Sequence, residues 1–247
     1  MRNALAAGLV VLLSVAGVAA QRGGGRGAAP QSARQAAALD LTGYWVSVVT
    51  EDWRYRMVTP NKGVFDALPL NAEGRRVGNL WDPARDEAAG EQCKAYGAAA
   101  IMRMPTRLRI GWQDDNTLKI ETDAGMQTRL FHFGTPPAPG EPSWQGHSVA
   151  QWEYATAARG GQRLGSLKVV TTNLRPGYLR KNGAPYSDRT VVTEYFDVNT
   201  LPNGDQWMTV TTRVEDPVYL ARPLLTTSDF KKLPGPTGWN PTPCSAR

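Results

Sequence analysis

The two histidines, His132 and His147, and Ser148 are the side chains whose sequence setting first suggests acid, base or nucleophilic work. The run Gly146-His147-Ser148-Val149-Ala150 shares the G-x-S spacing of a strained nucleophile turn. That turn needs a strand before it, a helix after it and a triad histidine later in the chain. No histidine follows Ser148, and Trp152 and Tyr154 continue an alternation that fits a strand. A serine hydrolase is therefore not expected. His132 is the stronger acid or base candidate, because a lone imidazole on an apolar face titrates near neutral pH. Its other reading is a core histidine bonded to a neighbour. His147 sits at a strand edge. Two histidines without carboxylates do not make a metal centre, and no H-x-x-x-H or C-x-x-C spacing occurs. No metal and no cofactor is expected.

The carboxylates are scattered. Asp114-Asp115-Asn116 reads as turn chemistry, with calcium as a lesser alternative. Glu153, Glu194 and Glu215 fall in or beside strands, where pairing with residues such as Arg189 or Arg213 is the plain reading. Trp53-Arg54-Tyr55-Arg56, read as a strand, sets two aromatics on one face and two guanidiniums on the other. That arginine face is either a solvated surface or a seat for an acid group. Cys93 and Cys244 are the only cysteines. In an oxidising compartment such a pair reads first as a disulfide; two free thiols or a metal pair are the other readings.

The elements that must position these groups are mostly strands. Alternating runs rich in Val, Ile, Thr and aromatics lie near 44–50, 53–59, 106–112, 117–122, 126–133, 148–154, 166–172, 189–198, 206–215 and 224–228. Ala, Glu, Arg and Gln accumulate between Asn71 and Met102, which predicts short helices over Ala72–Leu80 and Pro83–Lys94. The expected fold is all-β: an antiparallel β-barrel of about ten strands with a short helical insertion near 71–102.

One hairpin can be registered in detail. A three-residue loop at Asp123-Ala124-Gly125 sets Thr122 opposite Met126, Ile120 opposite Thr128 and Leu118 opposite Leu130, and puts His132 on the apolar face. A two-residue Ala124-Gly125 loop would instead set Ile120 against Arg129. On the first register an interior wall forms from Ile110, Trp112, Leu118, Ile120, Met126, Leu130 and His132. Trp152 and Tyr195 join it from later strands. These residues are the candidate binding surface for a hydrophobic or aromatic small molecule. Eight tryptophans and eight tyrosines supply stacking surface beyond the core.

The first twenty residues set the compartment. Arg2 precedes an uncharged apolar run from Ala4 to Ala20 that ends in Val18-Ala19-Ala20, the form of a cleaved signal peptide; an uncleaved N-terminal anchor is the alternative. A periplasmic or secreted location follows, with no membrane span after cleavage. Residues 21–38 are Gly-, Ala- and Arg-rich and read as a flexible tether, leaving 39–247 as one domain. The formal charge is +6, but Arg2, Arg22, Arg26 and Arg34 all precede Leu39 and no acidic residue does. The folding part is nearly neutral, which argues against a nucleic-acid partner.

At Leu41-Thr42-Gly43-Tyr44-Trp45 the chain resembles the start of lipocalin and calycin barrels, in which G-x-W opens the first strand and the tryptophan closes the floor. That resemblance implies a disulfide tethering the C-terminal tail and a late arginine packed on the tryptophan, here Arg213. More strands than eight and the helical insertion depart from a simple lipocalin. Residues 112–125, 146–153 and 216–219 also look like segments of uncharacterised secreted bacterial β-rich proteins, a likeness that carries over no catalytic residue. The expected function is binding of a small hydrophobic or amphipathic molecule inside the barrel. The alternatives are a cofactor-independent isomerase, lyase or hydratase using His132, and an envelope-associated structural or interaction protein. A polar pair around His132 in a cavity would favour the enzyme, an apolar cavity the binder, and a filled barrel the structural role.

Overall fold

The computed structural model describes residues 31–155 and 165–247. The expected signal peptide and the first part of the expected tether lie outside the described residues. Nine strands close a barrel in the order β1-β11-β10-β9-β6-β5-β4-β3-β2. They are β1 (Gly43–Val48), β2 (Arg107–Asp114), β3 (Thr117–Thr122), β4 (Thr128–Phe133), β5 (His147–Tyr154), β6 (Gly165–Thr172), β9 (Val191–Thr200), β10 (Gln206–Glu215) and β11 (Leu224–Leu233). The remaining two, β7 (Gly177–Arg180) and β8 (Ala184–Tyr186), form a separate hairpin that the sequence pattern did not announce. Nine barrel strands replace the expected ten because Trp53–Arg56 is a one-turn helix, α1. Its amides bond back to Asp52 and Trp53, so Arg56 turns inward while Trp53 is left 62% exposed.

The barrel is not wholly antiparallel. β4 and β5 run parallel over Phe131–Phe133 and Ser148–Ala150, because the proline-bearing connection 134–146 carries the chain back to the end from which β4 started. All other barrel neighbours are antiparallel. These directions gather the 49–106 insertion and the β7–β8 hairpin at one end. The insertion contains α2 (Ala72–Gly78), α3 (Pro83–Ala88) and two 3-10 turns, Lys94–Tyr96 and Ile101–Arg103. Asn71 and Asp82 cap the two helices through the amides of Gly74 and Ala84, as the sequence spacing allows. A second hydrophobic core, including Phe65, Leu174, Tyr186, Val214 and Leu224, packs at this end.

Alternation puts one face of each strand inside. On β10, Met208, Val210, Thr212 and Val214 are buried while Arg213 is exposed on the outer wall. The lumen is filled by side chains: Phe131, Phe196, Phe230, Met208 and Ile120 are each fully buried, and the rings of Phe131 and Phe196 meet edge to face at 5.6 Å. Trp45 is also fully buried and donates from its indole nitrogen to Leu41 O at 2.8 Å. Lys232, not Arg213, lies over its ring, at 5.4 Å; Arg213 pairs with Glu215.

The hairpin register differs from the expectation. Leu118 pairs with Phe131 and Ile120 with Arg129, the register of the two-residue Ala124-Gly125 loop. Gly125 and Met126 both take positive φ, 73° and 52°, so the turn ends one residue later than a Gly125-only turn would. A one-residue slip reverses the faces. Arg129, Phe131 and Phe133 therefore enter the barrel, and Leu130 and His132 go to the outer wall. Residues 31–38, expected to extend the tether, instead lie against the opposite end of the barrel: Ala33 O accepts from Trp152 Nε1 at 2.8 Å, Ala36 O from the Tyr154 hydroxyl at 2.7 Å, and the Ala33 amide bonds Asn116.

Cys93 and Cys244 form a disulfide. The tail returns along β1 and β2, with Trp239 between Tyr44 and Arg109 and Thr242 bridging to Ala124. The covalent bond therefore fixes the C-terminus against the insertion.

Candidate functional site

The expected binding wall is divided by the structure. Ile110, Leu118 and Ile120 are packed in the core. Trp112 and Trp152 flank Phe133, with ring centroids 5.6 and 5.3 Å from it, at the end covered by residues 31–38. Met126 is in the turn and 61% exposed. Leu130, His132 and Tyr195 are on the outer wall, where Lys168 lies over the Tyr195 ring. Their inward expectation fails for two reasons. His132 and Leu130 follow the hairpin slip, and on β9 the inward set is Val192, Glu194 and Phe196.

His132 stacks on His147 with centroids 5.7 Å apart and lies 3.5 Å from Thr117 Oγ1. Burial, and then His147, hold the His132 imidazole below its ordinary value, with Asp114 pulling weakly the other way. Ser148 is buried on β5 and shares a 2.7 Å hydrogen bond with Thr171, so no base faces it. Among the described residues no three His, Cys, Asp or Glu side chains cluster as metal ligands.

A different set of residues converges at the insertion end. A pocket of about 250 Å³ opens between α1, the second 3-10 turn with Met104 and Pro105 after it, and the β7–β8 hairpin. Met57, Met104, Leu179 and Ala100 give it apolar wall, Tyr55 and Tyr96 give it rings, and Arg56, Arg103, Arg180 and Lys181 give it charge. Local structure explains each placement. The short helix turns Arg56 inward, where its Nε donates to Arg103 O and its Nη1 to Glu51, both at 2.8 Å. The 3-10 turn ends at Arg103, whose Nη2 reaches Asp52 at 2.7 Å. Arg180 and Lys181 lead into the β7–β8 turn, which Asn182 pins by donating to Val64 O at 2.8 Å.

The cations are incompletely compensated. Nη2 of Arg56, Nη1 of Arg103 and Nη1 of Arg180 are buried without a hydrogen-bond partner among the described residues. Arg180 bonds only a backbone oxygen, that of Asp66 at 3.1 Å, and its guanidinium stands 4.8 Å from the Tyr55 ring. Burial, and then the charge of Arg103, lower its pKa to about 10. Burial likewise lowers Arg56, and Glu51 opposes that shift. Desolvated guanidiniums with free donors are costly unless something satisfies them.

Of this set only Tyr55 and Arg56 belong to a segment whose sequence pattern suggested an acid-binding face. Arg103 is far in the chain from the neighbours Arg180 and Lys181, and none of the three carries a local signal. Only the fold brings them together. Comparison with known proteins finds no family model, no curated relative and no solved structure that matches this chain.

Proposed function

We propose that this chain is an exported binding protein that takes a small amphipathic molecule into the pocket at the insertion end of its barrel. The observation that carries the reading is the meeting of tyrosine rings, apolar wall and under-partnered guanidiniums in one concave site, the usual make-up of a small-molecule pocket. The filled lumen counts against a ligand in the barrel interior and, on that criterion, toward the structural role; the binding reading rests on this pocket, which lies outside the lumen. The closed barrel then serves as the frame that carries the pocket. Export is consistent with the Cys93–Cys244 disulfide, which persists in an oxidising compartment.

Native mass spectrometry of protein taken from its own compartment tests this reading. A bound small molecule should accompany the wild type and be lost from Met104→Trp, which fills the pocket from its half-buried wall while circular dichroism confirms the fold. Identical small-molecule content in the two proteins would refute it.

A further inference from the structure

Four cations line the pocket, and two of them are neutralised: Arg56 by Glu51 at 2.8 Å and Arg103 by Asp52 at 2.7 Å. Arg180 and Lys181 form no ion pair among the described residues. Arg180 has the Asp66 carbonyl at 3.1 Å and the Tyr55 ring beside it, and Lys181 Nζ lies 5.5 Å from the Tyr96 ring. Two of the four lining cations thus lack an ion pair, although the charges of Asp52 and Asp66 also act on Arg180. The Arg56 side chain is 2% exposed and Arg180 is 9% exposed, so water relieves little of their cost. A desolvated cation cluster with spare N–H donors is the environment in which an oxyanion gains most, since charge-assisted and forked guanidinium bonds are the strong ones.

We infer that the ligand of this pocket carries a dianionic oxyanion head, of the phosphate monoester class, held between Arg56, Arg103 and Arg180 with Lys181 at the mouth. Its apolar part lies on Met104, Leu179 and the Tyr96 ring. The inference rests on the pocket being the binding site and adds the chemistry of what enters. A dianion can meet both cations that lack an ion pair, Arg180 and Lys181, whereas a monocarboxylate meets one. Each of the three arginines that line the pocket also keeps one buried donor without a partner among the described residues.

Calorimetric titration of the full-length mature protein with phenyl phosphate, benzoate and benzyl alcohol tests this. Phenyl phosphate should bind at least tenfold more tightly than either of the others, and its affinity should fall as salt rises. Arg180→Met should weaken it tenfold or more. Lys181→Gln, at a half-buried site without an ion pair among the described residues, should weaken it severalfold and serves if Arg180→Met does not fold. Phenyl phosphate binding no better than benzyl alcohol, or unchanged in Lys181→Gln, would overturn the inference. Benzyl alcohol bound by the wild type and lost in Met104→Trp would retain the pocket as a binding site while removing the phosphate head. A failure of all three probes to bind also overturns the inference, and the copurification experiment then decides the site separately.

Discussion

Arg129 on β4 and Glu194 on β9 meet inside the barrel in a two-pronged ion pair, Nη1 to Oε1 at 2.9 Å and Nη2 to Oε2 at 2.6 Å, with both side chains fully buried. The strands that carry them are separated in the sheet by β5 and β6, each of which contributes one member of the network. Arg129 Nη2 also reaches Thr171 Oγ1 at 3.3 Å, and Thr171 shares a bond with Ser148. The pair thus ties together four consecutive strands across the parallel β4–β5 seam. Forked geometry suits the guanidinium, and the Phe131 ring lies 4.9 Å from its carbon.

Breaking this pair from one side should cost far more than removing it whole. Glu194→Leu leaves a buried guanidinium without a counter-charge and should lower unfolding free energy by about 3–5 kcal/mol. Arg129→Met combined with Glu194→Leu should recover much of that loss. Urea unfolding of both singles and the double mutant gives the coupling; strictly additive losses would show that the two side chains act independently.

The histidine stack predicts a pH dependence of stability. His132 is held below its ordinary value of 6.5 in the folded protein, so the unfolded chain takes up more protons between the folded pKa and 6.5. Its contribution is complete above 6.5, falls as pH drops through that window and levels off below the folded pKa. His132→Gln should flatten this part of a stability–pH profile measured by urea midpoints. An unchanged slope would assign the titration to other groups.

Asp216 predicts the opposite kind of group, a carboxylate that stays charged in acid. Burial raises its pKa, but bonds from the Thr190 hydroxyl and the amides of Ser187, Tyr219 and Val218 outweigh burial and hold it below the ordinary value. Its stabilisation is present above the unfolded pKa and is lost as pH falls through the folded one. Asp216→Ala leaves those donors unpaired next to the second core and should cost about 1–3 kcal/mol or more. Chemical denaturation at neutral pH measures it.

The tail bond closes a loop of 151 positions, and the chain-entropy model gives it about 5 kcal/mol at most. Cys93→Ser with Cys244→Ser should lower the thermal midpoint and release the tail, read as faster amide exchange at Thr242 and Ser245. Ser245 N now bonds the Tyr96 hydroxyl at 3.3 Å, so the loosened tail should also free the tyrosine that borders the pocket. Retained protection at both amides would show that noncovalent contacts hold the tail alone.

Gly125→Ala should damage the same corner. Gly125 has φ of 73°, and a methyl group there would overlap the Tyr96 ring. The substitution combines backbone strain with a steric clash and should cost about 1–3 kcal/mol. Thermal unfolding checks the size, and a shifted Tyr96 ring resonance checks the cause.

The strands of the barrel wall were legible because each buries one face, and alternation records that directly. Nine of the ten expected runs became barrel strands. The tenth misled because Trp53-Arg54-Tyr55-Arg56 alternates as a strand would, yet Arg56 is drawn inward by nearby Glu51 together with the Arg103 carbonyl, and the latter is a tertiary partner that no window around residue 53 contains. The β7–β8 hairpin was missed for a related reason. Its residues have no polar face to alternate with, since Ala184, Pro185 and Tyr186 are all buried.

Local patterning, on its own, determined the all-β class, the helices after Asn71 and Asp82, and the pairing of the only two cysteines, since backbone preference and thiol chemistry act at short range or without competitors. Which way β4 faces was decided only by the tertiary structure. Matching Leu118 with Leu130 keeps apolar beside apolar and treats Arg129 as a surface group. The fold reverses this because Glu194, 65 positions further on, gives that guanidinium a counter-charge inside the barrel. Arg56, Arg103 and Arg180 likewise came together only when the 49–106 insertion and the β7–β8 hairpin closed over the same end. A charge can be buried only where its compensation arrives, and that compensation comes from chain too distant for any local pattern to register.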